Sequence, residues 1–179
     1  ASLSVGLVLS VGGFAFAAYN ESHDDFCASC HTQPESTFYQ RSIAAHPTDL
    51  ASAHTASKVL CIDCHSGVGI AGRLQAEILG ARNAAAWLTN TATQPSSSAY
   101  PLTDNHCLKC HQDLNDESHW AHYHAFLPDW RAKDPTHVAS CVTCHNSHTT
   151  NGSAGTSFLN EKDTRKVCDS CHLVLHKRG

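Results

Sequence analysis

Methionine is absent from the sequence, so no thioether ligates any metal that this chain holds. Aromatic residues are scarce as well, at 7% of the chain, which deprives a protein core of its largest side chains. Residues 1–19 carry no charged side chain; the first acidic residue is Glu21 and the first basic one is Arg41. The formal charge is a mild −4, with no basic face and no interleaving of basic and aromatic residues, which argues against nucleic acid as a partner. No cysteine is left over from one repeated pattern, so the even cysteine count is not read as the disulfide framework of an exported protein.

That pattern is Cys-x-x-Cys-His, the signature of covalent c-type haem attachment. It occurs five times, as Cys27-Ala-Ser-Cys30-His31, Cys61-Ile-Asp-Cys64-His65, Cys107-Leu-Lys-Cys110-His111, Cys141-Val-Thr-Cys144-His145 and Cys168-Asp-Ser-Cys171-His172. Two thiols at this spacing add across the two vinyl groups on one edge of a porphyrin, and the next residue turns its imidazole onto the iron as proximal ligand. One copy alone would also fit a redox dithiol or half a zinc site. Five copies, each followed by His and together consuming all ten cysteines, point to five covalently bound haem c groups.

Shared among five motifs, residues 20–179 leave only a short stretch of chain for each. So little polypeptide buries little apolar surface by itself. The expected fold is therefore mainly α with extensive loops and little or no sheet, a thin polypeptide coat around a haem-filled core, with one N-terminal transmembrane helix. By analogy with zinc fingers, the chain should not fold without its cofactor.

Residues 1–19, ASLSVGLVLSVGGFAFAAY, form an uncharged apolar stretch. As a helix it would be about 28 Å long at about 1.5 Å per residue, just enough to cross a bilayer core. A secretory signal peptide also has an apolar run, but no clean small-residue cleavage site separates this one from Cys27, Ala15-Phe16-Ala17 aside. The stretch is read as an anchor, leaving residues 20–179 as a pentahaem domain. Small residues recur at Ser2, Gly6 and Ser10, then Gly13 and Ala17; such a face admits another transmembrane helix, and chance composition explains it equally well. Because c-type haem is attached outside the cytoplasmic membrane, the expected location is a single-pass anchor in that membrane with the haem domain on the periplasmic side. The first haem would then lie at the membrane surface.

The motifs start at Cys27, Cys61, Cys107, Cys141 and Cys168, so the first and third intervals are equal. The repeated interval suggests two dihaem modules, residues 20–88 and 100–150, with a fifth haem on residues 151–179. A polar Pro/Ser segment, residues 89–101, runs between the modules. Ahead of it, Gly69 to Leu88 reads as a helix packed on haem through a stripe of Ile70, Leu74, Ile78 and Leu79. The proximal ligands are His31, His65, His111, His145 and His172. Ten further histidines lie outside the motifs, twice what five irons need. Most irons are thus expected to be bis-His, which favours electron transfer over substrate binding. The distal candidates are His54, His124, His137, His148 and His176, followed by His46, His106, His119 and His122. Any one of them could instead be exposed or bonded to a propionate.

Several of these features together resemble the NapC/NirT/NrfH family of membrane-anchored quinol dehydrogenases. The likeness runs through the N-terminal apolar stretch, Phe26 with the first motif, Tyr39-Gln40, Cys61-Ile-Asp-Cys64-His65, Gly72-Arg73-Leu74, Asn83 and Trp87-Leu88, over roughly residues 1–112. The resemblance implies menaquinol oxidation near the first haem and delivery of electrons to periplasmic redox proteins. This chain departs in carrying five motifs where members typically have four. It has Gln33 where many have Met, and Asn83 where some have an acidic residue of the quinol pocket; Glu77 is the nearest carboxylate. The plan of five haems and one helix is also similar to the pentahaem subunit of alternative complex III, in which other subunits hold the quinol.

The leading expectation is a membrane-anchored electron-transfer subunit of the respiratory chain, linking the quinol pool, directly or through partner subunits of a membrane complex, to periplasmic acceptors. It is expected to be a subunit rather than a stand-alone enzyme, with quinol dehydrogenase activity left open. The alternatives are a multihaem reductase of a small nitrogen or sulfur compound with one open haem site, and a cytochrome wire within a larger assembly.

Overall fold

A computed structural model describes residues 12–13, 15–30, 32–95, 100–112 and 122–176, without the side chains of residues 122, 175 and 176. The chain is mainly helical with long connections, and no strand occurs among the described residues. One isolated antiparallel bridge joins His145 and Leu159. Most of the anchor stretch lies outside the described residues; residues 15–20 are helical. Among the described residues no helix is long and apolar enough to cross a membrane.

The chain divides into two compact units, one of Ala1–Ala45 with His54–Ala99, the other of His46–Ala53 with Tyr100–Gly179. The first holds α1 (Asp24–Cys30), α2 (Glu35–Ser42), α4 (Cys61–His65) and α5 (Gly69–Leu88). The second holds α6 (Asp104–Leu108), α7 (His122–Lys133), α8 (Cys141–Cys144) and α9 (Glu161–His176), while the boundary falls within α3 (Leu50–Ala56). Two motifs therefore belong to the first unit and three to the second.

Short helices need local caps, because the first four N–H groups of any helix lack intrahelical partners. At α3 the side chains of Asp49 and Ser52 cap each other's backbone, with the Ser52 N–H donating to Asp49 Oδ1 at 2.8 Å and the Asp49 N–H to Ser52 Oγ at 3.1 Å. This reciprocal arrangement works like a capping box and explains why two polar side chains are buried there. The Ala51 N–H then donates to the Ser147 carbonyl at 2.9 Å, joining this turn to the residues that follow the fourth motif. After the second motif the chain turns at Gly67, whose φ is +75° and whose Cα faces Gly72 so closely that an added Cβ would lie 2.5 Å from the Gly72 carbonyl oxygen. Only glycine fits there.

The expected helix over Gly69–Leu88 is α5, and Leu79 lies apart from the other residues of its expected apolar stripe. No residue of α5 is buried, and Ile70, Leu74 and Ile78 are 92%, 59% and 56% exposed. The half-buried side is that of Gly72, Arg73, Ala76, Leu79, Asn83 and Ala86. Leu79 lies roughly 180° round the helix from Ile70 at about 100° per residue, so it does not share their stripe.

The buried apolar residues among those described are Leu127, Trp130, Ala139, Cys144, Phe158 and Val167, all in the second unit. Five of them form one cluster, on which Tyr123, Val138, Leu159, Cys171 and Val174 pack. Two motif cysteines thus lie in the one apolar cluster found among the described residues. The described part of the first unit has no buried apolar side chain.

Candidate haem-attachment centres

In all five motifs the described cysteines lie on or beside a helical turn. Cys27 and Cys30 close α1; the second motif is α4 itself; Cys107 lies in α6 with Cys110 just beyond it; Cys141 and Cys144 bound α8; and the fifth motif lies within α9. On a helix, residues three and four apart share a face, so this folding brings two thiols and an imidazole to one side. His31 lies outside the described residues. The turns are closed locally: the Leu60 N–H donates to the Asp63 carboxylate at 2.8 Å, and the Ser140 N–H to Thr143 Oγ1 at 3.2 Å.

Remote bonds set the motifs in pairs. Asp24 Oδ1 accepts the N–H of Cys61 at 2.9 Å, and Asp104 Oδ1 accepts the N–H of Cys141 at 2.7 Å, each across 37 residues. In the first pair each thiol influences the other, which pulls the Cys27 pKa down and pushes that of Cys61 up. In the second, the same influence pulls Cys107 down to about 7 and pushes Cys141 up. Burial raises the thiol pKa values of Cys144 and Cys171. The fourth and fifth motifs are tied through Asn160, whose N–H donates to the Cys144 carbonyl at 2.8 Å. Its side-chain oxygen caps the first turn of α9 by accepting the Asp163 N–H at 3.3 Å.

The imidazoles carry the test of whether haem fits. His145 Nδ1 lies 3.0 Å from the Ser157 carbonyl. A carbonyl only accepts, so Nδ1 holds the proton and Nε2 keeps the lone pair that a metal needs. The ring of His124 faces His145 with centroids 6.3 Å apart and planes 19° from parallel. The structure thus brings a distal candidate, His124, beside a proximal one, His145, and a bis-His iron takes two such residues. Burial, and then the neighbouring His145, lower the His124 pKa, which favours the neutral, ligating form. Among the described residues no group of three or more His, Cys, Asp or Glu is arranged to hold a metal ion. A haem iron asks only for two axial ligands and takes its other donors from the macrocycle.

The other candidates are dispersed. His137 Nδ1 lies 2.8 Å from Asp134 Oδ1, a carboxylate partner of the kind that orients a ligating imidazole. It borders a groove of about 490 Å³ with Trp130, Val142 and Lys166. His106 Nδ1 lies 3.1 Å from the Thr103 N–H at the start of α6, a capping position. His54 and His148 are half-buried, and His46 is exposed. His119 lies outside the described residues, as do the side chains of His122 and His176, whose backbones are helical.

Sequence reasoning passed over four residues of note. His23, outside the candidate set, has its Nδ1 3.1 Å from the Tyr19 carbonyl and so can keep Nε2 free in the same way as His145. Asp24, Asp104 and Ser157 act through backbone geometry. The equal position of the two aspartates, three residues before Cys27 and Cys107, was the one signal available for them. Beyond the motifs, Arg73 pairs with Glu21 and, at 2.6 Å, with Glu77. Burial raises the Glu77 pKa, and the charge of Glu21 raises it further.

Comparison with protein-family models, curated proteins and solved structures found no match.

Proposed function

We propose that this chain is a membrane-anchored pentahaem c-type cytochrome that transfers electrons between the quinol pool and periplasmic acceptors. The observation that carries the reading is the set of five Cys-x-x-Cys-His segments, which together use all ten cysteines; the nearness of His124, a distal candidate, to His145 supports it. Bound haem supplies one-electron redox chemistry. The chain's own contribution is to hold and orient. The paired thiols would hold each macrocycle, the imidazole on the same turn would ligate its iron, and a second imidazole such as His124 would keep substrate off it. The Ser157 carbonyl and the Asp134 carboxylate hold the tautomers of His145 and His137. The motif pairs Cys27–Cys61 and Cys107–Cys141 keep attachment points adjacent, as a conduit requires.

The anchor at residues 1–19, the periplasmic location and the likeness to the NapC/NirT/NrfH family rest on the sequence motifs. They extend the reading to partners: a membrane, companion subunits or periplasmic redox proteins, and menaquinol met directly or through a partner. The test is spectroscopic. The chain expressed with haem-attachment machinery should carry five haems by mass. Its ferric irons should be mostly low-spin and, once reduced, should not take carbon monoxide. A chain without covalent haem would overturn the reading. A strong high-spin, carbon monoxide-binding fraction in the unaltered protein would favour the reductase alternative.

A further inference from the structure

Asp24 and Asp104 occupy equivalent places in two halves of the chain. Each lies three residues before the first cysteine of a motif, and each accepts the backbone N–H of the first cysteine of the next motif, 37 residues on. Asp24, Cys27 and Cys61 recur as Asp104, Cys107 and Cys141 with one common offset along the chain. In both halves the two helices that carry the first cysteines also pack against each other. The residues between the motifs match poorly, so the arrangement recurs without the intervening sequence.

The geometry explains why a remote carboxylate is used. The Cys61 and Cys141 N–H groups sit at helix starts, where no intrahelical acceptor exists. Their local caps are spent one residue earlier, on the N–H groups of Leu60 and Ser140. Asp24 and Cys27 lie at i and i+3, on one face of α1. Gripping the Cys61 amide with Asp24 therefore brings Cys27 against Cys61. The same holds for Asp104, Cys107 and Cys141, where Arg131 also pairs with the Asp104 carboxylate.

We infer that Asp24 and Asp104 are positioning residues that clamp two dihaem pairs, motifs one with two and motifs three with four, and so set the coupling between the haems of each pair. This rests on the haem reading above and adds to it which haems act together and what holds them. The clamp works through a neutral-capable acceptor, so Asn, which keeps the side-chain oxygen, should replace Asp, whereas Ala should not.

The experiment compares the full-length holoprotein with D24A, D24N, D104A and D104N. Attachment is mapped by peptide mass, and interhaem coupling is read from the Soret circular dichroism couplet. Each Ala variant should lose part of the couplet, the two losses should add in the double variant, and each Asn variant should keep the unaltered signal. If an Ala variant fails to load fully, the missing haems should be confined to motifs one and two for D24A, and to motifs three and four for D104A. Five attached haems with an unchanged couplet in both Ala variants would overturn the clamp and leave the cytochrome reading standing. Haem loss spread over all five motifs would overturn it too, and an unaltered chain carrying no haem would overturn both.

Discussion

Replacing His124 by Ala tests the bis-His assignment where the structure is most specific. The His124 and His145 rings are neighbours, with centroids 6.3 Å apart and planes 19° from parallel, and on the proposed reading they are the two ligands of one haem iron. Deleting the His124 ring removes one of two axial ligands from one of five irons. A fifth of the ferric haem should therefore pass from low-spin to high-spin, and the reduced protein should bind one more carbon monoxide per chain than the unaltered one. Added imidazole should reverse the spin change, which a mere packing defect would not allow. His124 is half-buried and flanked edge-on by Tyr123, so the chain should still load its haems. The assay is electron paramagnetic resonance together with carbon monoxide titration at known haem content. An H124A protein with five haems and no new high-spin signal would refute the pairing of His124 with His145.

Two further perturbations probe the surroundings. In G152A the new Cβ would lie 2.6 Å from the Phe158 carbonyl carbon, in a turn where Ser157 and Phe158 already hold left-handed φ values of 51° and 55°. Opening that turn should cost about 1–3 kcal/mol, as overpacking does, and should move the Ser157 carbonyl off His145; denaturant unfolding at unchanged haem content checks the cost, and full stability would contradict it. Glu77 has a folded pKa raised by burial and by Glu21, above an unfolded value of about 4.3. Its protonated form is therefore favoured on folding, and the stability this confers is present below the unfolded pKa and lost as pH rises through the folded one. E77Q should accordingly gain stability relative to the unaltered chain as pH rises through that window. A stability difference that does not change with pH between acid and neutral conditions would show that Glu77 titrates normally.

Much of the fold class was legible because it follows from arithmetic on the chain. So few residues per motif cannot enclose a conventional core, and the buried apolar side chains among the described residues are correspondingly few. The helix Gly69–Leu88 was readable from its composition and length, whereas the face it exposes was not. Spacing places Ile70, Leu74 and Ile78 on one stripe, but only the tertiary structure shows that they are exposed while Leu79 is half-buried on the opposite side from Ile70.

The attachment chemistry belongs to the sequence alone, because two thiols and an imidazole in consecutive reach are brought together by a single helical turn and need nothing distant. Distal ligation and motif pairing are long-range. His124 lies on α7 and His145 just beyond α8, with the rest of α7 and a connecting loop between them. Asp24 and Asp104 reach across 37 residues to their cysteine amides. Chain separation carries no distance information once the backbone has turned several times. Only the packed structure could therefore bring His124 beside His145 and show that two ordinary aspartates join the motifs into pairs.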